Sequence, residues 1–360
     1  MPPLYITTQG AKLRYRKRRL VVEKPGRQEG KAKEIAAVPA VHVSQVLIFG
    51  NVSITTPALG FLLEKGIDTI FLTLRGRYKG RLVGPSGGNS RLRLRQYERV
   101  LDPDWALETA RAIVTGKLHN TRTLLRRYAR RIGNGDRCGR TELRMANGES
   151  ANESLSKAAD QLTDLIARAG RCRAVNSLSG MEGRGAAVYF SVFRRLIRDD
   201  DETWQFTRRN RRPPRDPVNA LLSFGYTILT HNVESAVRAV GLDPYIGFLH
   251  QIAYNRPSLA LDLVEEFRCI VVDSVVLRCI NNNIILPAHF RINPEGDYPV
   301  LLNDEGRSRF IRELETRFNL KFKHPDTQER VTYRRCFELQ ARQLARGIQA
   351  GDVYRPFKVR

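Results

Sequence analysis

The hydrophobic pattern of this chain changes period once, between about residues 85 and 90, and that change limits what it can fold into. Before it, apolar residues come in short β-prone runs, Leu4–Thr7, Leu13–Tyr15, Leu20–Val22, Ile35–Val38, Val43–Phe49, Thr69–Leu72 and Arg81–Val83, parted by Gly, Pro and charged turns. One interval, Pro57–Lys65, reads as a helix with Pro57 suited to its first turn, and the basic run Lys12–Arg19 reads as a hairpin. From Ser90 onward the apolar spacing is helical, over Arg91–Val100, Pro103–Lys117 and His119–Arg131, then 154–169, 182–198, 217–240, 258–280, 304–319 and 330–347. The pattern predicts an α+β fold in two domains. A small β-rich domain covers 1–85, and a larger all-helical domain covers 86–360, with a mobile linker at 133–153 that is rich in Gly, Asn and charge.

Helix 217–240 has the clearest ends, with Asp216 as N-cap, Pro217 in the first turn and Gly241 just beyond the last turn. Ahead of it lies the basic stretch Thr207–Arg215, TRRNRRPPR, either a solvated connection or a nucleic-acid contact through Arg211 and Arg212. Charge favours the second: 61 Lys and Arg against 37 Asp and Glu leave +24, which points to a polyanionic partner. The excess is concentrated early, because residues 1–150 hold 29 basic and 12 acidic groups, a difference of +17. No apolar run approaches the roughly 20 residues that span a bilayer, and no signal-peptide pattern opens the chain. The expectation is a cytoplasmic protein with no membrane partner. The cysteines, Cys138, Cys172, Cys269, Cys279 and Cys336, lack zinc-ligand spacing and do not suggest a disulfide framework.

Three places could carry chemistry. In helix 258–280, Asp262, Glu265 and Glu266 stand among apolar residues, and buried carboxylates need a cation. That cation is either an arginine, such as Arg268, or a metal. His250 follows an apolar pair in a loop fifteen residues before Glu265, where a satisfied structural imidazole is the plain alternative. Glu182, in Ser177-Leu-Ser-Gly-Met-Glu-Gly-Arg-Gly185, is placed in the first turn of a helix, where dipole compensation is an ordinary role. Gly183 and Gly185 beside it would admit a close backbone or phosphate.

Taken in order, Leu178–Ala186, Arg215–Tyr226, Gly241–His250 and Arg256–Arg268 resemble the CRISPR-associated spacer-acquisition integrase family, and Lys117-Leu-His-Asn-Thr-Arg122 fits it more loosely. The resemblance implies that Glu182, His250 and Glu265 ligate Mg²⁺ or Mn²⁺, with Asp262 as an auxiliary acid; helix geometry makes Glu266 the less favoured ligand, since one residue along turns the side chain roughly 100° away. It implies that Asn219 and Tyr226 border the site, with capping and core packing as their alternatives. Arg122, Arg126, Arg127, Arg184, Asn219 and Tyr226 join Arg211 and Arg212 as candidate DNA contacts. The family's activity is joining the 3′-hydroxyl ends of short double-stranded DNA to a repeat by transesterification. It acts as a homodimer, formed largely through the β-rich domains, with a small ferredoxin-like CRISPR-associated partner. Two rivals remain: a metal-dependent repair or branched-DNA nuclease, which would use water as nucleophile, and a DNA-binding module whose carboxylates only pair with arginines.

Overall fold

The computed structural model describes residues 2–24, 26, 32–84, 89–133, 150–210, 213–293, 295–296 and 299–360. Arg211, Arg212, Cys138 and most of the expected linker lie outside the described residues. The chain divides into two compact units, Met1–Gly88 and Asn89–Arg360.

In the first unit the strands are β1 (Leu4–Ile6), β2 (Lys12–Arg16), β3 (Arg19–Lys24), β4 (Lys33–Pro39), β5 (Gln45–Phe49), β6 (Ser53–Ile54), β7 (Asp68–Leu72) and β8 (Tyr78–Leu82). They form two four-stranded sheets, ordered β1-β5-β7-β8 and β4-β3-β2-β6. The basic run turns between β2 and β3 at Lys17 and Arg18, whose φ values of 46° and 61° give the hand that a two-residue hairpin needs. Strands β5 and β7 pair in parallel, so the chain must cross over between them, and α1 (Thr56–Glu64) makes that connection. Leu13, Leu20, Val46, Ile48 and Leu62 meet in the core of this unit. Strand β6 is too short to have shown a period in the sequence.

The second unit contains α2 (Ser90–Leu101), α3 (Pro103–Gly133), α4 (Ala151–Ala169), α5 (Val175–Val192), α6 (Pro217–Val240), α7 (Ser258–Val264), α8 (Ser274–Asn281), α9 (Asp304–Phe318) and α10 (Tyr333–Ala350). It is not all-helical. Two small antiparallel hairpins, β9 (Phe290–Ile292) with β10 (Val300–Leu302) and β11 (Lys321–Lys323) with β12 (Arg330–Thr332), interrupt the last third. The two helices expected around residue 118 are one, α3, because Leu118 at the supposed break is buried and the helix runs through it. Helix α4 opens with a capping box of Ser150 and Glu153. Helix α6 is capped as its sequence indicated: Asp216 accepts from the Asn219 N–H at 2.7 Å, and Gly241 takes φ 98°.

Candidate metal and DNA site

The predicted helix 258–280 is built in three pieces. Helix α7 ends at Val264, a π-helical segment runs over Arg268–Asp273, and α8 follows. In an ideal α-helix the eight-residue step from Glu265 to Asp273 would leave their side chains about 80° apart. The wider π turn advances fewer degrees per residue and brings the two toward one side. Glu265, Arg268 and Asp273 accordingly line one cleft with Lys117, Tyr189 and Tyr226.

His250 is held by Asp262. The fully buried Asp262 carboxylate accepts N–H bonds from Phe248 at 2.6 Å, Leu249 at 3.0 Å and His250 at 3.0 Å, and lies 2.7 Å from His250 Nδ1. That ties Nδ1 and leaves Nε2 on the side of Glu265, 3.8 Å from its Oε1. Gly247 makes the arrangement sterically feasible, since a Cβ there would stand 2.6 Å from Asp262 Oδ2 and 2.7 Å from the Ser258 backbone. Asp262 is therefore placed behind the imidazole, with its oxygens already engaged.

Glu182 is in the interior of α5, seven residues beyond its start at Val175, and not in the first turn that the sequence suggested. Dipole compensation therefore does not explain it. What it meets is Lys117 of α3: the ammonium donates to Glu182 Oε1 and ion-pairs with Glu265 Oε2 at 2.6 Å. Arg268 meets the other Glu265 oxygen at 3.0 Å. Burial alone would raise the Glu265 carboxyl, but Arg268, Lys117 and His250 outweigh it and hold the group below its ordinary range. Of the two neighbouring glycines, Gly183 faces open space, whereas a Cβ on Gly185 would stand 2.2 Å from Leu118, so Gly185 serves the packing of α5 on α3.

Two carboxylates and an imidazole nitrogen are a donor set suited to Mg²⁺ or Mn²⁺. Glu265 Oε2 is buried, and what it meets is the Lys117 ammonium at 2.6 Å, a cation at the point where the Glu182 and Glu265 carboxylates converge. The residues fit a divalent ion on that count. As arranged, however, the carboxylates close on the lysine, and no three acidic, His or Cys side chains among the described residues close around a point by themselves.

Behind this site Asp273 accepts hydroxyl hydrogens from Tyr189 at 2.9 Å and Tyr226 at 2.6 Å. Burial pushes its carboxyl up to about 6, with both tyrosines and the guanidinium groups of Arg209 and Arg268 acting against the rise. Tyr226 has guanidinium carbons of Arg268 and Arg209 at 5.1 and 5.4 Å from its ring centroid. Neither Asp273 nor Tyr189 was recognised in the sequence, although an acid within the apolar run IVVDSVV was the available signal. Arg268 was weighed as a partner, and its three-residue spacing from Glu265 allowed it.

Glu266 points elsewhere. It accepts from Tyr354 at 2.6 Å, from the Phe357 N–H at 2.8 Å and from Gln340 at 3.3 Å, and burial raises its carboxyl to about 8 against those bonds.

Of the expected DNA contacts, Arg184, Arg126 and Arg127 are exposed and Arg122 is half-buried beside Thr163 and His119. Asn219 is fully buried and spends its side chain on Arg209, the Arg208 carbonyl and Asp216, so it fastens the basic loop, the capping and packing role given as its alternative. Tyr226 lines the cleft with its hydroxyl committed to Asp273. No helix among the described residues is long and apolar enough to cross a membrane.

The sequence profile described as "CRISPR associated protein Cas1" matches residues 4–316. A CRISPR-associated exonuclease Cas4/endonuclease Cas1 fusion of Geobacter sulfurreducens is 39% identical over 354 residues, covering 98% of this chain and 59% of that protein. The CRISPR-associated endonuclease Cas1 2 of Rhodospirillum rubrum is 36% identical over 355 residues, covering 98% and 97%. Among solved structures, the Cas6-RT-Cas1–Cas2 complex contains a chain that superposes with a TM-score of 0.77 at 26% identity, covering 100% of this chain and 36% of that one. The chain thus spans about three fifths of the Geobacter fusion and nearly all of the Rhodospirillum protein.

Proposed function

Because this chain belongs to the Cas1 family of CRISPR-associated proteins, we propose that it is a divalent-metal-dependent DNA integrase of CRISPR adaptation, joining 3′-hydroxyl ends of short duplexes to a repeat. The observation that carries this reading is the meeting of Glu182 and Glu265 at one cationic point, with His250 Nε2 3.8 Å from Glu265. Mg²⁺ or Mn²⁺ bound there supplies polarisation of the scissile phosphate and a lowered pKa for the attacking hydroxyl.

The chain's own residues do the rest. Glu182 projects from α5 and Glu265 from the end of α7, so the ligands sit on separate packed elements and keep their spacing. Asp262 fixes the tautomer and direction of His250 through Nδ1. Arg268, braced against Tyr226, places a guanidinium beside Glu265 where an anionic phosphate would approach. The exposed Arg126, Arg127 and Arg184 supply charge for the DNA backbone. The relatives' names support nucleic-acid chemistry, and the Cas1–Cas2 assembly supports a Cas2-like partner for this chain. A homodimer through the β-rich unit belongs to the same reading.

The nuclease reading shares every ligand and differs in using water as nucleophile; the word endonuclease in the relatives' names favours keeping it in view. A binding module with carboxylates merely neutralised by Lys117 and Arg268 would give no metal-dependent product. Glu182→Ala, His250→Ala and Glu265→Ala test the assignment. Each is expected to abolish joining and leave DNA affinity near that of the unchanged protein, and full activity in any of them would remove that residue from the ligand set.

A further inference from the structure

We propose that Lys117 is a resident counter-cation of this site, holding the Glu182 and Glu265 carboxylates together before a divalent ion arrives and giving up its place when one binds. This rests on reading Glu182, His250 and Glu265 as ligands.

The side chain of Lys117 is only 11% exposed, and its ammonium contacts a carboxylate oxygen from each of two helical elements far apart in sequence. Glu265 is 2% exposed and Glu182 21%, and two such carboxylates meeting at one point repel each other and carry a desolvation cost unless a cation lies between them. Arg268 answers one oxygen of Glu265 and does not reach across to Glu182 by any contact among the described residues. Among those residues Lys117 alone bridges the pair. A divalent ion held by these same two carboxylates would compete with the ammonium for them. A lysine suits an exchangeable role better than an arginine, being a point charge on a flexible stem and not a rigid two-pronged fork. On leaving the carboxylates, the same ammonium stays tethered at the cleft and is free to meet a phosphate oxygen of bound DNA.

The consequence is a competition: every divalent ion that binds must first displace an ammonium. Titration of the full chain with Mn²⁺ in the absence of DNA, followed by the loss of the free-ion electron paramagnetic resonance signal, reads it directly. The unchanged protein should bind Mn²⁺, and Glu182→Gln should weaken that binding severely. If both bind equally or neither binds, the ligand reading fails and takes this inference with it. Given that first result, Lys117→Met should bind Mn²⁺ roughly tenfold more tightly, because a competing charge is gone. Equal or weaker binding by Lys117→Met overturns the proposal while leaving the ligands in place. Should that variant fold poorly, the unchanged protein serves: acetylation of Lys117, measured by mass spectrometry, should rise several-fold on adding Mg²⁺, and unchanged reactivity would overturn the proposal.

Discussion

Asp262 gathers the backbone N–H groups of residues 248–250 and the His250 imidazole onto one carboxylate, with Nδ1 at 2.7 Å. The loop and the His250 imidazole are thereby fixed by a single buried group. Asp262→Asn keeps the volume but puts an amide donor against N–H groups. We expect it to lower Mn²⁺ affinity or joining rate by roughly 10–100-fold, the usual effect of losing such a partner. Asp262→Ala should in addition cost about 2–4 kcal/mol of stability by orphaning buried donors. Urea titration and Mn²⁺ binding measure the two effects separately. Normal affinity in Asp262→Asn would show that His250 needs no such support.

Glu266 makes a contrasting prediction about pH. Its carboxyl is raised from the ordinary value of 4.5 to about 8, so the folded chain holds a proton that the unfolded chain releases between those values. Stability from this group is full below about pH 4.5 and is lost as pH rises toward 8. Glu266→Gln carries no such proton. Its stability relative to the unchanged protein should therefore climb between about pH 5.5 and 8, and chemical denaturation across that range would reveal a flat difference if the carboxyl titrates normally. Joining activity should survive, because Glu266 faces Tyr354 and Phe357 and not the cleft.

The ends of α6 were legible because capping is local: Asp216, Pro217 and Gly241 act within a turn of themselves. The candidate trio came only through a family resemblance carried by four separate segments, since each of its residues alone also had an ordinary structural role. What could not be read was the pairing across α3 and α5. Lys117 and Glu182 are 65 residues apart, and nothing in either neighbourhood names the other. The π segment was hidden for a different reason. Arg268–Asp273 lies in an apolar run whose residues are almost all buried, so no stripe exists from which to read a local change of period. For Asn219 the sequence left bordering the site and capping both open, because its partners Arg208, Arg209 and Asp216 come together only when the loop folds over it.

Tyr226 braces the site through Asp273. Tyr226→Phe removes the hydroxyl that donates at 2.6 Å and leaves Asp273 with the Tyr189 bond. The expected loss is about 1–3 kcal/mol, measured by urea unfolding, together with a lower joining rate if Arg268 shifts with the ring. No change in either would reduce Tyr226 to core filling.

Affinity for duplex DNA should come from dispersed arginines and depend steeply on salt. Arg126 and Arg127 are exposed, with Asp160 3.4 Å from Arg126 and the Arg360 carbonyl against Arg127. Replacing both with alanine should reduce the slope of log affinity against log salt by up to about two, near 0.9 for each phosphate that is no longer neutralised. Fluorescence anisotropy at several salt concentrations checks this, and an unchanged slope places the DNA track elsewhere.

The central claim is a metal-assisted attack by a terminal 3′-hydroxyl, and the nature of that terminus is the most direct variable. Given Mn²⁺ or Mg²⁺, a Cas2-like partner and a supercoiled plasmid bearing the cognate repeat, short duplexes with free 3′-hydroxyls should become covalently joined to the plasmid. Duplexes ending in dideoxynucleotides should bind as tightly and give no joined product, since the hydroxyl to be activated is missing. Plasmid cleavage undiminished by blocked ends, with no joined product from free ends, would contradict the integrase account and leave a nuclease.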